Sequence, residues 1–537
     1  MLIANFLLAA LTFISPVRYD VSLAGNFGEP RPNHFHGGLD IKTQREEGKP
    51  VHAVGDGFVC RVTVSTTGYG NAVYVRHPDG HTTVYAHLQR FAPAIEAKVK
   101  KWQYEHHSWA ADVSFKATDC PVSQGQVIAL SGNTGSSMGP HLHLEFHQSD
   151  TWDLFDPLEF IPSLLRDGKA PEVHGFMAYP IAGKGVFCGK PSKMRFKPSA
   201  LDSVRLEAWG EVGFGIYADD YMEDSPNFYG IRHTTLYVDD KEVFKSDVNG
   251  IPVKSNRMVN SWGDYDEYRK EKHWYLKSFV EPGNTLPFLH TDANRGIVRF
   301  DQERDYHIRY ELSDYFGNVV TYRFVVKGRR MEIPPRQLAE GEILMKHDES
   351  SFVQQGFNLS IPQGALADDV VISPRDSIGT YARARQISRK PLPLLVPAQL
   401  SMSVSRQVDD VNKLYIAADG HSIGGEYQNG WVVAPVLDIG QMFSVEYDDE
   451  PPHIERTDDT REGVFVLQVE DKETGVASVE AAVDGRFVLF APVGHTKRYA
   501  CQLKNTPIRR TEKMRTLTFQ ARDNRGNQSV YTTTFKY

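Results

Sequence analysis

Residues 132–146 read Gly-Asn-Thr-Gly-Ser-Ser-Met-Gly-Pro-His-Leu-His-Leu-Glu-Phe. A loop rich in glycine and serine runs directly into a strand that opens His-Leu-His-Leu. Period-two alternation puts His141 and His143 on one face of that strand and Leu142 and Leu144 on the other, toward a core. Two imidazoles about 7 Å apart on one strand face can divide their work, one binding a metal and one handling protons. A merely polar strand face would not explain why the strand follows such a loop.

Two upstream segments offer partners. Asn33-His34-Phe35-His36-Gly37-Gly38-Leu39-Asp40 places His36 four residues before Asp40, with two glycines between them that allow a tight bend. An imidazole and a carboxylate on such a loop can share one metal ion, although the spacing alone is weak. Val84-Tyr85-Ala86-His87-Leu88 ends a strand, and alternation predicts Tyr85 and His87 on one face. The surrounding runs, such as PVHAVGDGFVCRVTVS and NAVYVRHPDGHTTVYAHL, alternate apolar and polar residues between Gly-Asp-Gly and Pro-Asp-Gly turns, the pattern of antiparallel hairpins.

Taken together, HGGLD, YAHL and GNTGSSMGPHLH, with GKPVHAVGDGFV and YGNAVYVRHPDG between them, resemble the lysostaphin-like (LytM-type) zinc endopeptidases over about residues 24–160. The resemblance implies zinc ligands at His36, Asp40 and His143 and catalytic histidines at His87 and His141. Three protein ligands leave a fourth position open, the catalytic rather than the structural arrangement of zinc. It further implies cleavage of peptide cross-links in bacterial peptidoglycan. The alternative is a catalytically inactive relative that activates or scaffolds cell-wall hydrolases, against which the complete His36, Asp40, His143 set argues. His34, His52, His77, His81, His106, His107 and His147 match no ligand position and are expected to be structural. Arg31 and Asn33 are candidates for substrate contact.

Of 537 residues, 41% are hydrophobic and 24% charged, enough for ordinary globular cores in three to five domains. The net charge of −8 is spread without a basic block, which excludes nucleic acid as the expected partner. Cys60, Cys120, Cys188 and Cys501 form no C-x-x-C pair and are expected as isolated thiols. Residues 1–15 begin with a short apolar run, too short to span a bilayer and suited to a secretory signal. The expected location is therefore exported, in the periplasm or cell envelope.

The expected fold is mainly β: a LytM-type antiparallel peptidase domain at 16–168 with a helical insert around 91–107, then β-sandwich (Ig-like) domains. Helical spacing of Ile95, Val99 and Trp102 marks the insert, which is expected to wall the cleft. A sandwich at 169–330, a linker at 331–344, a β-rich domain at 345–450 and a sandwich at 451–537 follow. The turn D-x-x-G-N precedes a final alternating strand twice, at Asp314–Asn318 and Asp523–Asn527. Cell-envelope proteins are the partners expected for these C-terminal domains.

Overall fold

The computed structural model describes residues 13–200, 205–223, 225–348 and 351–537. Most of the apolar run at 1–15 lies outside them, but its end does not. Phe13 is buried with its ring edge-on to Phe146, Phe160 and His77.

The first third is built on one antiparallel sheet. Its principal strands are β1 (Leu23–Gly25), β2 (Leu39–Lys42), β3 (Gly57–Val64), β4 (Ala72–Arg76), β5 (His81–Ala86), β6 (Ala111–Ser114) and β7 (His141–Gln148), in the spatial order β1-β2-β7-β5-β4-β3-β6. Leu142, Leu144 and Phe146 point from β7 into the main core with Leu39, Ile41, Tyr85 and Leu88. The other face of β7 carries His143, Glu145 and His147, all buried. Helix α1 (Pro93–His106) begins with proline at its first turn and buries Ile95 and Val99. Its end turns away from the core, where Tyr104 and His107 pack on Phe487 of the C-terminal region. The insert thus also touches the C-terminal region.

After residue 168 the chain is mainly β, with short helical segments at Val253–Met258, Val259–Trp262 and Tyr265–Glu271. Two long strands, β8 (Glu172–Phe187) and β9 (Leu206–Tyr221), anchor an eleven-stranded sheet around a core of Phe176, Phe214, Phe300, Tyr310 and Phe324. Two five-stranded sheets enclose a core that includes Leu359, Leu400, Ile416 and Phe443, and two four-stranded sheets enclose one built on Leu467, Leu517 and Phe519. Both D-x-x-G-N segments are hairpin turns: Asp314 Oδ1 accepts from Asn318 N at 2.8 Å and Asp523 Oδ1 from Asn527 N at 2.9 Å. Gly317 and Gly526 take positive φ, 85° and 83°, which glycine adopts without strain. All four cysteines are free thiols.

Candidate metal centre

Strand register brings the site together. Asp40 on β2 is directly opposite His143 on β7, and His143 is opposite Ala86 at the end of β5. His36 lies just before β2, linked to it by Gly37 and Gly38. Neither glycine has the positive φ of a tight bend; close approach is what requires them. A Cβ on Gly38 would lie 2.1 Å from the Leu144 carbonyl oxygen, and one on Gly37 would lie 2.4 Å from Glu145 Oε1. His87 follows the last residue of β5 with φ 58°, so the strand's alternation stops before it. Its ring sits beside His141 and His143, while Tyr85 points into the main core. The two do not share a face as alternation predicted.

Three donor atoms form a small triangle. His36 Nε2 is 3.0 Å from Asp40 Oδ1, His143 Nδ1 is 2.8 Å from the same oxygen, and the two nitrogens are 3.0 Å apart. Donors in tetrahedral zinc, at bonds of about 2.0–2.1 Å, stand roughly 3.3 Å from one another, so the triangle is within a few tenths of an ångström of that size. The outward nitrogens are committed. His36 Nδ1 faces the Asn26 carbonyl at 2.6 Å and His143 Nε2 faces Glu145 Oε1 at 2.8 Å. With protons on those outward nitrogens, neutral rings aim two lone pairs at each other beside a carboxylate. A divalent cation resolves that arrangement, and the residues fit one.

Without a cation, the carboxylates draw a proton onto one of the two rings instead. Burial holds His36 down to about 4, against the pull of Asp40. Burial also opposes charge on His143, but hydrogen bonds to Asp40 and Glu145 outweigh it and lift that ring to about 9. Asp40 resists its own burial because His36, His141 and His143 hold its carboxyl well below the usual range. Its second oxygen is held by Arg31 Nη2 at 2.9 Å, and Glu29 Oε2 is 3.3 Å from the same nitrogen.

His141 and His87 stand next to the triangle, with ring centroids 4.7 Å apart. His141 Nδ1 faces the Gly139 carbonyl at 2.8 Å and His87 Nδ1 the Thr134 carbonyl at 2.8 Å, which leaves both Nε2 atoms for the site. His141 Nε2 is 3.3 Å from Asp40 Oδ1. Burial, with His143 and His141 nearby, presses His87 down to about 3. The five residues picked out in the sequence therefore meet in one place.

Of the residues around the site, sequence reasoning named two for another role and missed one. Arg31 was considered for substrate but grips Asp40. Asn33 is likewise engaged, with its side chain and backbone bonded to Asn260. Glu145 accepts from His143, from His147 Nε2 at 2.6 Å and from the Tyr69 hydroxyl at 2.7 Å. The period-two argument that paired His141 with His143 extends to Glu145 and His147, so that signal was present.

Residues 34–105 match the profile described as peptidase family M23, and residues 342–448 that of a Zu5-like domain. An uncharacterized metalloprotease of Haemophilus influenzae is 38% identical over 120 residues, 22% of this chain and 19% of the relative. The DD-carboxypeptidase/endopeptidase Mpg of Neisseria meningitidis serogroup B is 37% identical over 111 residues, 21% of this chain and 20% of the relative. The catalytic domain of lysostaphin from Staphylococcus simulans is 24% identical with a TM-score of 0.20, covering 27% of this chain and 92% of that one. The match thus spans about a fifth of the length of these curated relatives. Within its first third, the chain carries a domain of peptidase family M23.

Proposed function

We propose that this protein is a zinc-dependent endopeptidase that hydrolyses peptide cross-links of bacterial peptidoglycan, with His36, Asp40 and His143 as ligands and His87 and His141 as catalytic residues. The observation that carries the reading is the pair of facing imidazole nitrogens, each 3.0 Å or less from Asp40 Oδ1. Bound by His36, Asp40 and His143, zinc would supply Lewis acidity to a scissile carbonyl and to a water molecule. The Nε2 atoms of His141 and His87 provide the proton path. Each ring is fixed through Nδ1 to a backbone carbonyl, so each presents a lone pair to the reacting centre without reorientation. One ring takes the proton of the attacking water and the protonated pair returns it to the leaving amine. Relatives named peptidoglycan DD-endopeptidases, including ShyA of Vibrio cholerae at 38% identity over 137 residues, support the substrate class.

The test is digestion of purified cross-linked muropeptides, D-Ala–diaminopimelate-linked and glycine-bridged, with new termini identified by mass spectrometry. Wild type is expected to carry about one zinc per chain. His87→Ala and His141→Ala should retain metal and lose about 10²–10⁴ in turnover. A folded protein that binds no zinc, or a zinc-loaded one that leaves both substrates intact, sinks the reading.

A further inference from the structure

A second cluster of ligand-type side chains lies away from this centre, where the first sheet hands over to the second. Asp167 closes the first third, Asp220 sits near the end of β9, and Asp314 opens the first D-x-x-G-N turn. Each offers a carboxylate oxygen, and these atoms lie within 4.8 Å of one another. Asp220 is 4% exposed and Asp314 2%. Asp220 Oδ1 and Asp167 Oδ2 are buried with no hydrogen-bond partner. Among the described residues, the groups that do reach Asp167 and Asp314 are neutral: backbone N–H of Gly168 and Lys169 on Asp167, backbone and amide N–H of Asn318 on Asp314. Three converging carboxylates, with orphaned oxygens and no cationic side chain paired to them, are far from electrostatic balance.

We propose that Asp167, Asp220 and Asp314 form a calcium site at the junction between the M23 domain and the sheet that follows. The donors are all oxygen, the class that hard cations select, and they arrive from three separate segments whose geometry suits calcium's flexible coordination. Asp167 is only partly buried, so water can complete the shell.

The second D-x-x-G-N turn supplies an internal contrast. There Asp448, Asp471 and Glu473 also gather. However, Asp448 Oδ2 accepts from Thr474 Oγ1 at 2.5 Å and Asp471 Oδ1 accepts from the backbone of Thr474 and Gly475. Asp448 and Asp471 are thus satisfied without an ion.

An ion at the first junction would brace the metal centre indirectly. Asp220 pairs in register with Tyr229, whose hydroxyl donates to the Leu23 carbonyl at 2.9 Å. Leu23 and Gly25 on β1 pair with Ile41 and Asp40 on β2.

The experiment uses the full-length protein saturated with zinc, in buffer freed of other divalent ions. Calcium is titrated by calorimetry while thermal melts are followed. Wild type is expected to bind one calcium with Kd in about the 10⁻⁴–10⁻³ M range and to melt at a higher temperature with it. Asp220→Asn and the more exposed Asp167→Asn should each lose the heat and the shift, whereas Asp448→Asn should keep both. Because Asp167 is only partly buried, its variant remains informative if Asp220→Asn does not fold. No heat and no shift at about 10 mM calcium, an undiminished response in Asp167→Asn, or a response to magnesium alone each overturns the assignment. The first of these would leave a proton shared between the carboxyls as the source of balance. None of these readouts depends on peptidase activity.

Discussion

Replacing Glu145 with glutamine keeps the shape of the side chain and removes its charge. The native carboxylate is 3% exposed and accepts three hydrogen bonds, from His143 Nε2, His147 Nε2 and Tyr69 Oη, at 2.6–2.8 Å. Burial disfavours its charge, yet the two histidines hold its carboxyl well below the usual range, so the carboxylate is ionised whenever the protein is folded at neutral pH. A glutamine amide has one accepting oxygen and a donating NH2, so one of the three donors must face another donor. Losing one charge-assisted bond of this kind costs about 1.5–3 kcal/mol of stability. The effect on the metal is separate. His143 presents Nδ1 to the site because its Nε2–H is held by Glu145, and outer partners of this type are worth about 10–100-fold in metal affinity. At 1.36 kcal/mol per decade that is about 1.4–2.7 kcal/mol. Competition against a chromophoric zinc chelator measures the affinity, and a thermal melt reports the fold. If Glu145→Gln folds and holds zinc within twofold of wild type, Glu145 does not orient His143 and the network serves packing alone.

Gly38→Ala would set a Cβ 2.1 Å from the Leu144 carbonyl. The β2–β7 pairing that aligns Asp40 with His143 should part, seen as lost zinc and activity even where circular dichroism retains β structure. Phe13→Ala should lower stability by about 3–5 kcal/mol, because the ring is buried among Phe146, Phe160 and His77; denaturant melts read this directly. Burial and the neighbouring Asp314 push the Asp220 carboxyl up to about 8. In calcium-free buffer the folded chain therefore keeps a proton that the unfolded chain releases near the ordinary aspartate value, and stability falls as pH rises from about 4 to 8. Asp220→Asn should flatten that slope in melts across the same range; an equal slope in the variant counts against the shift.

How far the sequence reaches depends on the range of the interaction. Period-two alternation is local, so the shared face of His141 and His143 was readable from HLHLEFH, as were the two D-x-x-G-N turns and the helical spacing of Ile95 and Val99. The same alternation failed at His87, where one residue of left-handed backbone moves the ring across the strand end. Gly37 and Gly38 were recognisable as necessary but for the wrong reason, since what crowds them is a strand more than a hundred residues away. The grip of Arg31 on Asp40 and the gathering of Asp167, Asp220 and Asp314 depend on pairings between distant strands that no spacing rule contains.

Distance along the chain also hides how the metal centre is supported. The boundary near residue 168 separates two sequence patterns, but the hydrophobic core crosses it: Phe35 and Leu23 belong to the same packed cluster as Tyr229, Val259, Trp262 and Phe288. The segment leading into His36 is held from the far side. Phe35 N donates to Asn256 Oδ1 at 2.6 Å, Asn33 N donates to Asn260 Oδ1 at 3.1 Å, and the Phe35 ring lies 6.0 Å from Trp262 and 5.7 Å from Phe288. A ligand must be fixed to within about half an ångström to keep an open metal site from rearranging. His36 has only a two-residue strand before it, Asn33 carries positive φ, and the paired glycines after it lend little stiffness of their own. The placement of His36 therefore comes from asparagines and aromatics more than two hundred residues downstream, which makes the short helices at Val253–Met258 and Val259–Trp262 part of the candidate centre's scaffold rather than an appendage to it.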